Sequence, residues 1–181
     1  MDELGTFLQE VARKKKATLR FSEGRIDILS HGEVIGSVTY SIGDQEIVHK
    51  SLKTRDVTSM ESCISIHSLH VESGQQGKKL GSLLIACALR AGIQHGCTYS
   101  VLDDMSDYAN HIQKNIYGSF GYTHKDVTQQ KGDAFYNTGP EKQLKLPSSD
   151  EMLKLFRKRL IGGTRRIKKS KTRRRYVLRC L

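Results

Sequence analysis

The sequence concentrates its chemistry in Leu69-His70-Val71-Glu72-Ser73-Gly74-Gln75-Gln76-Gly77-Lys78-Lys79-Leu80-Gly81-Ser82-Leu83-Leu84. The alternating, β-branched run Cys63–Val71 predicts a strand, and Gly74–Gly77 breaks it. Lys78–His95 then predicts a helix with Leu80, Leu83, Leu84, Cys87, Ala88 and Ala91 on one side. A helix opening straight from such a turn leaves backbone N–H groups unpaired at its positive dipole end. Glycines let an anion approach those groups, and Lys78 and Lys79 add charge, so the turn suits a pyrophosphate. A tight strand-to-helix turn with solvated lysines is the competing reading. Neither GxxxxGK[ST] nor GxGxxG is present, which excludes a P-loop and a dinucleotide fingerprint.

Two histidines on the same strand, His67 and His70, are of the type that exchanges protons near neutral pH. Strict alternation puts them on opposite faces unless a bulge shifts the register. A structural, hydrogen-bonded histidine is the competing reading for each. Thr98–Leu102 predicts the next strand, ending at Asp103 and Asp104, which could hold a cationic amine or simply cap the helix that follows. That amphipathic helix, Asp107–Ser119, is closed by Gly118 and Gly121.

The remaining elements must position these groups. Leu4, Phe7, Leu8 and Val11 recur at helical spacing within residues 3–16, ahead of the basic end Arg13–Lys16. Three strands are expected at Ala17–Ser22, Arg25–Ser30 and Val34–Ile42, separated by turns at Glu23-Gly24 and His31-Gly32-Glu33. The polar stretch Gly43–Ser59 reads as a loop, and its His49, Lys50, Lys53 and Arg55 argue mildly against a polycationic ligand there. Short strands are expected around Tyr122–Val127 and Ala134–Asn137. Ser148 and Glu151 form a capping box for a helix running to about Leu160 and ending at Gly162-Gly163. This order predicts an α/β fold, a mixed sheet with a parallel crossover near its middle. The expected division is one domain over residues 1–146, a C-terminal helix over 147–163, and a basic tail over 164–181 without fixed structure.

At 181 residues the chain allows one full domain. No apolar run is long enough to span a bilayer, and the acidic start MDELGTFLQEVARKKK lacks the apolar core of a signal peptide. Cys63, Cys87, Cys97 and Cys180 show no ligand spacing, so reduced thiols of an intracellular, cytoplasmic or nuclear protein are expected, with no metal site. The net charge of +11 is uneven. Residues 154–181 hold 13 Lys or Arg and no acid, which leaves 17 of the 30 basic residues against all 19 acids, a net −2, in the rest. The run Arg165–Arg175 is therefore expected to bind nucleic acid or another polyanion, or to serve as an import signal, with a solubilising extension as the competing reading. Ser170 and Thr172 within it are candidate phosphorylation positions.

The strand-loop-helix resembles motif A of the GNAT (GCN-related N-acetyltransferase) superfamily, L-x-V followed by Q/R-x-x-G-x-G/A. Leu69 and Val71 match the strand, and Gln76 and Gly81 match the ends of the loop motif. Lys79 stands at the middle glycine and Ser73 where proline is frequent. Asn110, Ile116, Tyr117, Phe120, Gly121 and Tyr122 resemble motif B, N-x-x-A-x-x-L-Y-x-x-x-G-F, with Gln113 at the alanine. The resemblance covers about residues 17–140.

It implies a GNAT-like, splayed mixed sheet and acetyl-CoA as acyl-donor cosubstrate. The pantetheine arm would lie along Leu69, His70 and Val71. The pyrophosphate would sit on Gln76, Gly77, Lys78, Lys79, Leu80, Gly81 and Ser82, and Asn110 would orient the arm. The activity implied is direct acetyl transfer to a primary amine of a small molecule or protein, with Tyr117 as general acid. Packing of the helix is the competing role for Tyr117. Relatives often carry a basic glutamate on the motif-A strand, about where Ser65 stands. His67 is the first candidate base here, His70 the second, and Asp103 or Asp104 could act through water. The family usually inserts helices between its first strands. The tight turns here leave the acceptor role to residues 3–16 or 43–59. A GNAT-like adaptor that has lost catalysis and binds polyanions through its tail is the alternative.

Overall fold

The computed structural model describes residues 2–49, 57–102, 117–124, 128–131, 134–137 and 142–161. Helix α1 (Glu3–Lys14) precedes β1 (Thr18–Ser22), β2 (Arg25–Ser30), β3 (Glu33–His49) and β4 (Val57–Val71). Helix α2 (Leu80–Gln94) leads to β5 (Tyr99–Leu102). Then come a short helical turn (Gly118–Phe120), β6 (Thr123–His124), β7 (Thr128–Lys131), β8 (Ala134–Asn137), β9 (Lys142–Lys145) and α3 (Ser149–Phe156), which continues as a π-helical turn over Arg157–Ile161. Seven strands form one sheet in the order β1-β2-β3-β4-β5-β9-β6, and β7 and β8 form a separate hairpin. Among the described residues only β4 and β5 pair in parallel, joined by the crossover helix α2. The predicted mixed sheet with its central parallel crossover is the one found.

Helices α1, α2 and α3 share one face of the sheet. Ile26, Ile28, Val38, Ile64 and Ile66 meet Leu4, Leu8 and Val11 of α1, Leu83 and Leu84 of α2, and Met152 and Phe156 of α3 in one core. Each such buried Leu or Ile contributes about 1.5–3 kcal/mol. From Leu83 through Leu89 every residue of α2 is buried, as befits the helix at the centre of the layer. Close approach is possible because of Gly92, where an added Cβ would lie 2.5 Å from Ile64 Cγ2. Asp2 caps α1 by accepting from Gly5 N–H and also binds Arg90 and Gln94, which ties α1 to α2. The predicted capping box of Ser148 and Glu151 opens α3. No helix among the described residues is long and apolar enough to cross a membrane.

The opposite face of β1–β4 is polar. Asp27 is buried there between the guanidinium groups of Arg20 (2.6 Å) and Arg25 (2.8 Å). Burial pushes its carboxyl up, but these bonds outweigh burial and leave it below the usual range. Further along this face, Ile47, Cys63, Tyr99 and Val101 form a small second cluster. Burial raises the Cys63 thiol to about 11 and the Cys87 thiol to about 12.

Several boundaries differ from the sequence expectations. Residues 43–49 and 57–59 are not loop: β3 and β4 pair from Gly36↔Val71 out to His49↔Val57, and residues 50–56 lie outside the described residues. Their mostly polar side chains hid a ladder made by backbone bonds, with Ile47 buried in the second cluster. Lys142–Lys145 is a strand that the pattern missed, since only Leu144 is apolar, yet it lies between β5 and β6 in the sheet. Strand β8 pairs with β7 outside the main sheet. The predicted helix Asp107–Ser119 lies outside the described residues up to residue 116, as does the tail from 162.

Candidate active site: an open strand edge beside an uncapped helix

The β3–β4 ladder skips one residue. Tyr40 pairs with Ile66 and Thr39 with Ser68, so His67 is the extra residue of a β-bulge. Ile66 and Leu69 therefore both turn to the core, with Val71 following. His67, Ser68 and His70 emerge together on the polar face, among Ser37, Thr39 and Ser41. The opposite-face expectation for the two histidines is thereby corrected, by the register shift itself. His67 Nε2 is hydrogen-bonded to Ser41 Oγ at 2.8 Å, and His70 Nε2 lies 3.3 Å from Glu72 Oε1. Ser65, on the same face, is buried and accepts from Gln45 Nε2 at 2.5 Å.

Beyond the bulge β4 loses its neighbour. Strand β5 pairs with Cys63–Ile66 and its last paired residue is Leu102. Among the described residues, the edge of β4 from His67 to Val71 on that side has no strand against it. Such an edge offers backbone donors and acceptors to an extended ligand.

The edge leads through a 3-10 turn, Ser73–Gln75, to the N-terminus of α2. Helix α2 starts at Leu80, later than the sequence predicted. Lys78 and Lys79 are not helical: Gly77 has φ 78° and Lys79 has φ 61°, a left-handed conformation. Lys79 occupies the position where the motif has glycine, and the backbone there explains that preference. The first bond of the helix runs from Leu83 N–H to Lys79 O. Leu80, Gly81 and Ser82 thus present their N–H groups at its positive end. Helices α1 and α3 carry side-chain caps, whereas Lys79 supplies none to α2. Lys15 Nζ donates to Lys78 O at 2.7 Å, Lys78 Nζ to Gln75 Oε1 at 2.7 Å, and Lys79 Nζ to Arg159 O at 3.1 Å. Leu69, His70 and Val71 thus lie on the β4 edge, Gln76, Gly77, Lys78 and Lys79 in the loop that follows, and Leu80, Gly81 and Ser82 in the first turn of α2.

Tyr117 is apart from His67. It is nearly buried in the main core, with its ring edge-on to Tyr122 at 5.9 Å. Tyr122 donates to or accepts from Ser100 Oγ at 2.6 Å, and burial holds its phenol well above the usual range. Asn110, Asp103 and Asp104 lie outside the described residues. Sequence reasoning missed Lys15 and Ser41. Both join the site through contacts between distant segments, of which the sequence carries no local signal.

The described site is thus a mixed sheet whose one described parallel pair opens beside an uncapped, lysine-rimmed helix N-terminus. The model of the acetyltransferase (GNAT) family matches residues 4–122, and the chain belongs to that family. None of the curated proteins matches it in sequence. Among solved structures, it is similar to a provisionally assigned acetyl transferase from Pyrococcus furiosus at 20% identity and TM-score 0.45, over 60% of this chain and 64% of that one. It therefore spans just under two thirds of that protein. It is similar also to the NatC complex bound to Gag peptide and CoA, at 14% identity and TM-score 0.46, over 81% and 93% of the two chains. A third is an aminoglycoside N-acetyltransferase in complex with CoA, at 19% identity and TM-score 0.43, over 61% and 66%. Membership rests on the family match, and the family's reaction is acyl transfer from acetyl-CoA.

Proposed function

We propose that the chain transfers the acetyl group of acetyl-CoA to a primary amine by direct attack. The observation that carries this reading is the open β4 edge running into the uncapped N-terminus of α2. Backbone groups of Leu69, His70 and Val71 would hold the pantetheine arm, and the N–H groups of Gln76–Ser82, with Lys78 and Lys79, the pyrophosphate. Bound there, acetyl-CoA supplies an activated acetyl thioester. The residues of this chain have the remaining tasks: to fix the amine, to take its proton and to supply one to the departing sulfur.

His67 is the base we assign. It is exposed on the polar face at the bulge, next to the point where β5 leaves β4, and Ser41 holds its ring. Ser65, at the position of the family's glutamate, is buried and already bonded, and a hydroxyl cannot serve as that base unaided. Tyr117, nearly buried just before Gly118–Phe120, is assigned as the proton donor, with Asn110 orienting the arm. The basic segment Arg165–Arg175 is proposed to bind polyanions independently of the cleft.

The test is calorimetric titration of acetyl-CoA into the full chain, with heparin present to occupy the basic segment. A thiol-release assay over a panel of amines, from polyamines to lysine peptides, follows. One-site micromolar binding, about −8 kcal/mol, together with amine-dependent thiol release is expected. No binding would refute the cradle, and binding without release for any amine would leave an adaptor in place of an enzyme.

A further inference from the structure

Lys15 closes α1, and its surroundings differ from those of the basic residues beside it. Arg13, Lys14 and Lys16 are exposed, as expected for cations at a helix C-terminus, whereas Lys15 is half-buried. Its Nζ reaches across 63 positions of sequence to the carbonyl of Lys78, in the middle of the loop that precedes α2. Desolvation, and then repulsion from Lys79, both lower its affinity for its own proton. Neither Lys15 nor Lys78 forms an ion pair with a carboxylate among the described residues. The ammonium groups of Lys15 and Lys79 thus repel each other beside the positive end of α2, and Lys78, whose carbonyl holds Lys15, belongs to the same loop. Like charges held in a partly desolvated place repel each other, and an anion placed between them relieves that repulsion.

We infer that Lys15, delivered by α1, is a third cation of the nucleotide-phosphate subsite and a determinant of affinity for the phosphorylated half of acetyl-CoA. This rests on the acetyl-CoA reading above and extends it to a residue outside motif A. The hydrogen bond to Lys78 O fixes the ammonium against the loop, so the phosphate meets it already in place.

The experiment is titration calorimetry of CoA and of 3′-dephospho-CoA into the full chain and its variants, in heparin-containing buffer. Lys15→Met is expected to weaken CoA about tenfold, a loss typical of one charge-assisted contact. Lys15→Arg should bind nearly as the unchanged chain does, and Lys14→Met, which removes an exposed charge next door, should have no effect. Lys15→Gln keeps a donor for Lys78 O without charge and is expected to lose as much as Lys15→Met. Equal weakening of both nucleotides assigns Lys15 to the pyrophosphate, and weakening of CoA alone assigns it to the 3′-phosphate; either result upholds the inference. Unchanged affinity in Lys15→Met, full recovery in Lys15→Gln, or equal loss in Lys14→Met would overturn it. Thermal melting without nucleotide shows that each variant is folded. If the unchanged chain binds neither nucleotide, the acetyl-CoA reading itself has failed and the role of Lys15 falls with it.

Discussion

Replacing Asp2 with alanine should loosen two helices at once. One oxygen of Asp2 accepts from Gly5 N–H at 2.6 Å and from Arg90 Nε at 2.9 Å; the other accepts from Arg90 Nη2 at 3.0 Å and Gln94 Nε2 at 2.8 Å. Loss of the N-cap costs about 1 kcal/mol. The Arg90 pair is half shielded, with side-chain exposures of 13% and 41%, and is worth about 1 kcal/mol. The Gln94 bond adds about 0.5 kcal/mol. Asp2→Ala should therefore lower stability by about 2–3 kcal/mol, and Asp2→Asn, which keeps a cap, by about 1 kcal/mol. Equilibrium urea unfolding at pH 7 reads both values. The pH dependence has a definite sign. Chiefly through its bonds from Arg90, the folded protein holds the Asp2 carboxyl below its ordinary value. Its stabilisation is full above the unfolded value of about 3.9 and is lost as pH falls through the folded one. The ionic part of the gap between the unchanged chain and Asp2→Ala should accordingly shrink in acid. Equal losses in the alanine and asparagine variants, or a gap that does not shrink in acid, would refute the reasoning.

Gly92→Ala places a Cβ 2.5 Å from Ile64 Cγ2 and 3.3 Å from Leu146 Cδ1. Overpacking should outweigh the better helix propensity of alanine, for a net loss of about 1–2 kcal/mol in urea unfolding. Tyr117→Phe should leave acetyl-CoA binding intact and slow turnover about a hundredfold. Normal turnover would remove Tyr117 from the proton-donor role. His67→Gln should likewise spare binding in calorimetry and depress the rate at neutral pH. Cys63 and Cys87, both fully buried and with thiols raised to about 11 and about 12, should resist iodoacetamide at pH 8 until urea is added, as peptide mass mapping would show.

The strand-loop-helix was legible because three independent signals coincide there: alternation in Cys63–Val71, a glycine-bearing break, and the apolar spacing of α2. The capping box at Ser148 and the tight turn at His31-Gly32 were legible for the same local reason. At His31 and Gly32 the backbone has φ 52° and 85°, the demand that glycine meets. What could not be read is set by pairing between distant segments. Asp44, Gln45 and Glu46 look like loop, yet they are held by partners Ser62, Glu61 and Met60 across the hairpin. The polar β9 exists because β5 and β6 flank it. Lys79 gave a partial signal, since a lysine at a glycine position invites the question of its backbone angle, but only the structure answers it.

The bulge at His67 separates geometry from chemistry in a way that substitution alone cannot. Because His67 is surplus to the ladder, removing it outright would leave Ile66, Leu69 and Val71 facing the core and Ser68 and His70 facing out. The faces would survive a one-residue shortening. A chain lacking His67 should therefore fold on the same pattern of contacts while losing the side chain assigned as the base. The imidazole is thus carried by one residue of excess in β4 relative to β3, which the ladder itself does not need.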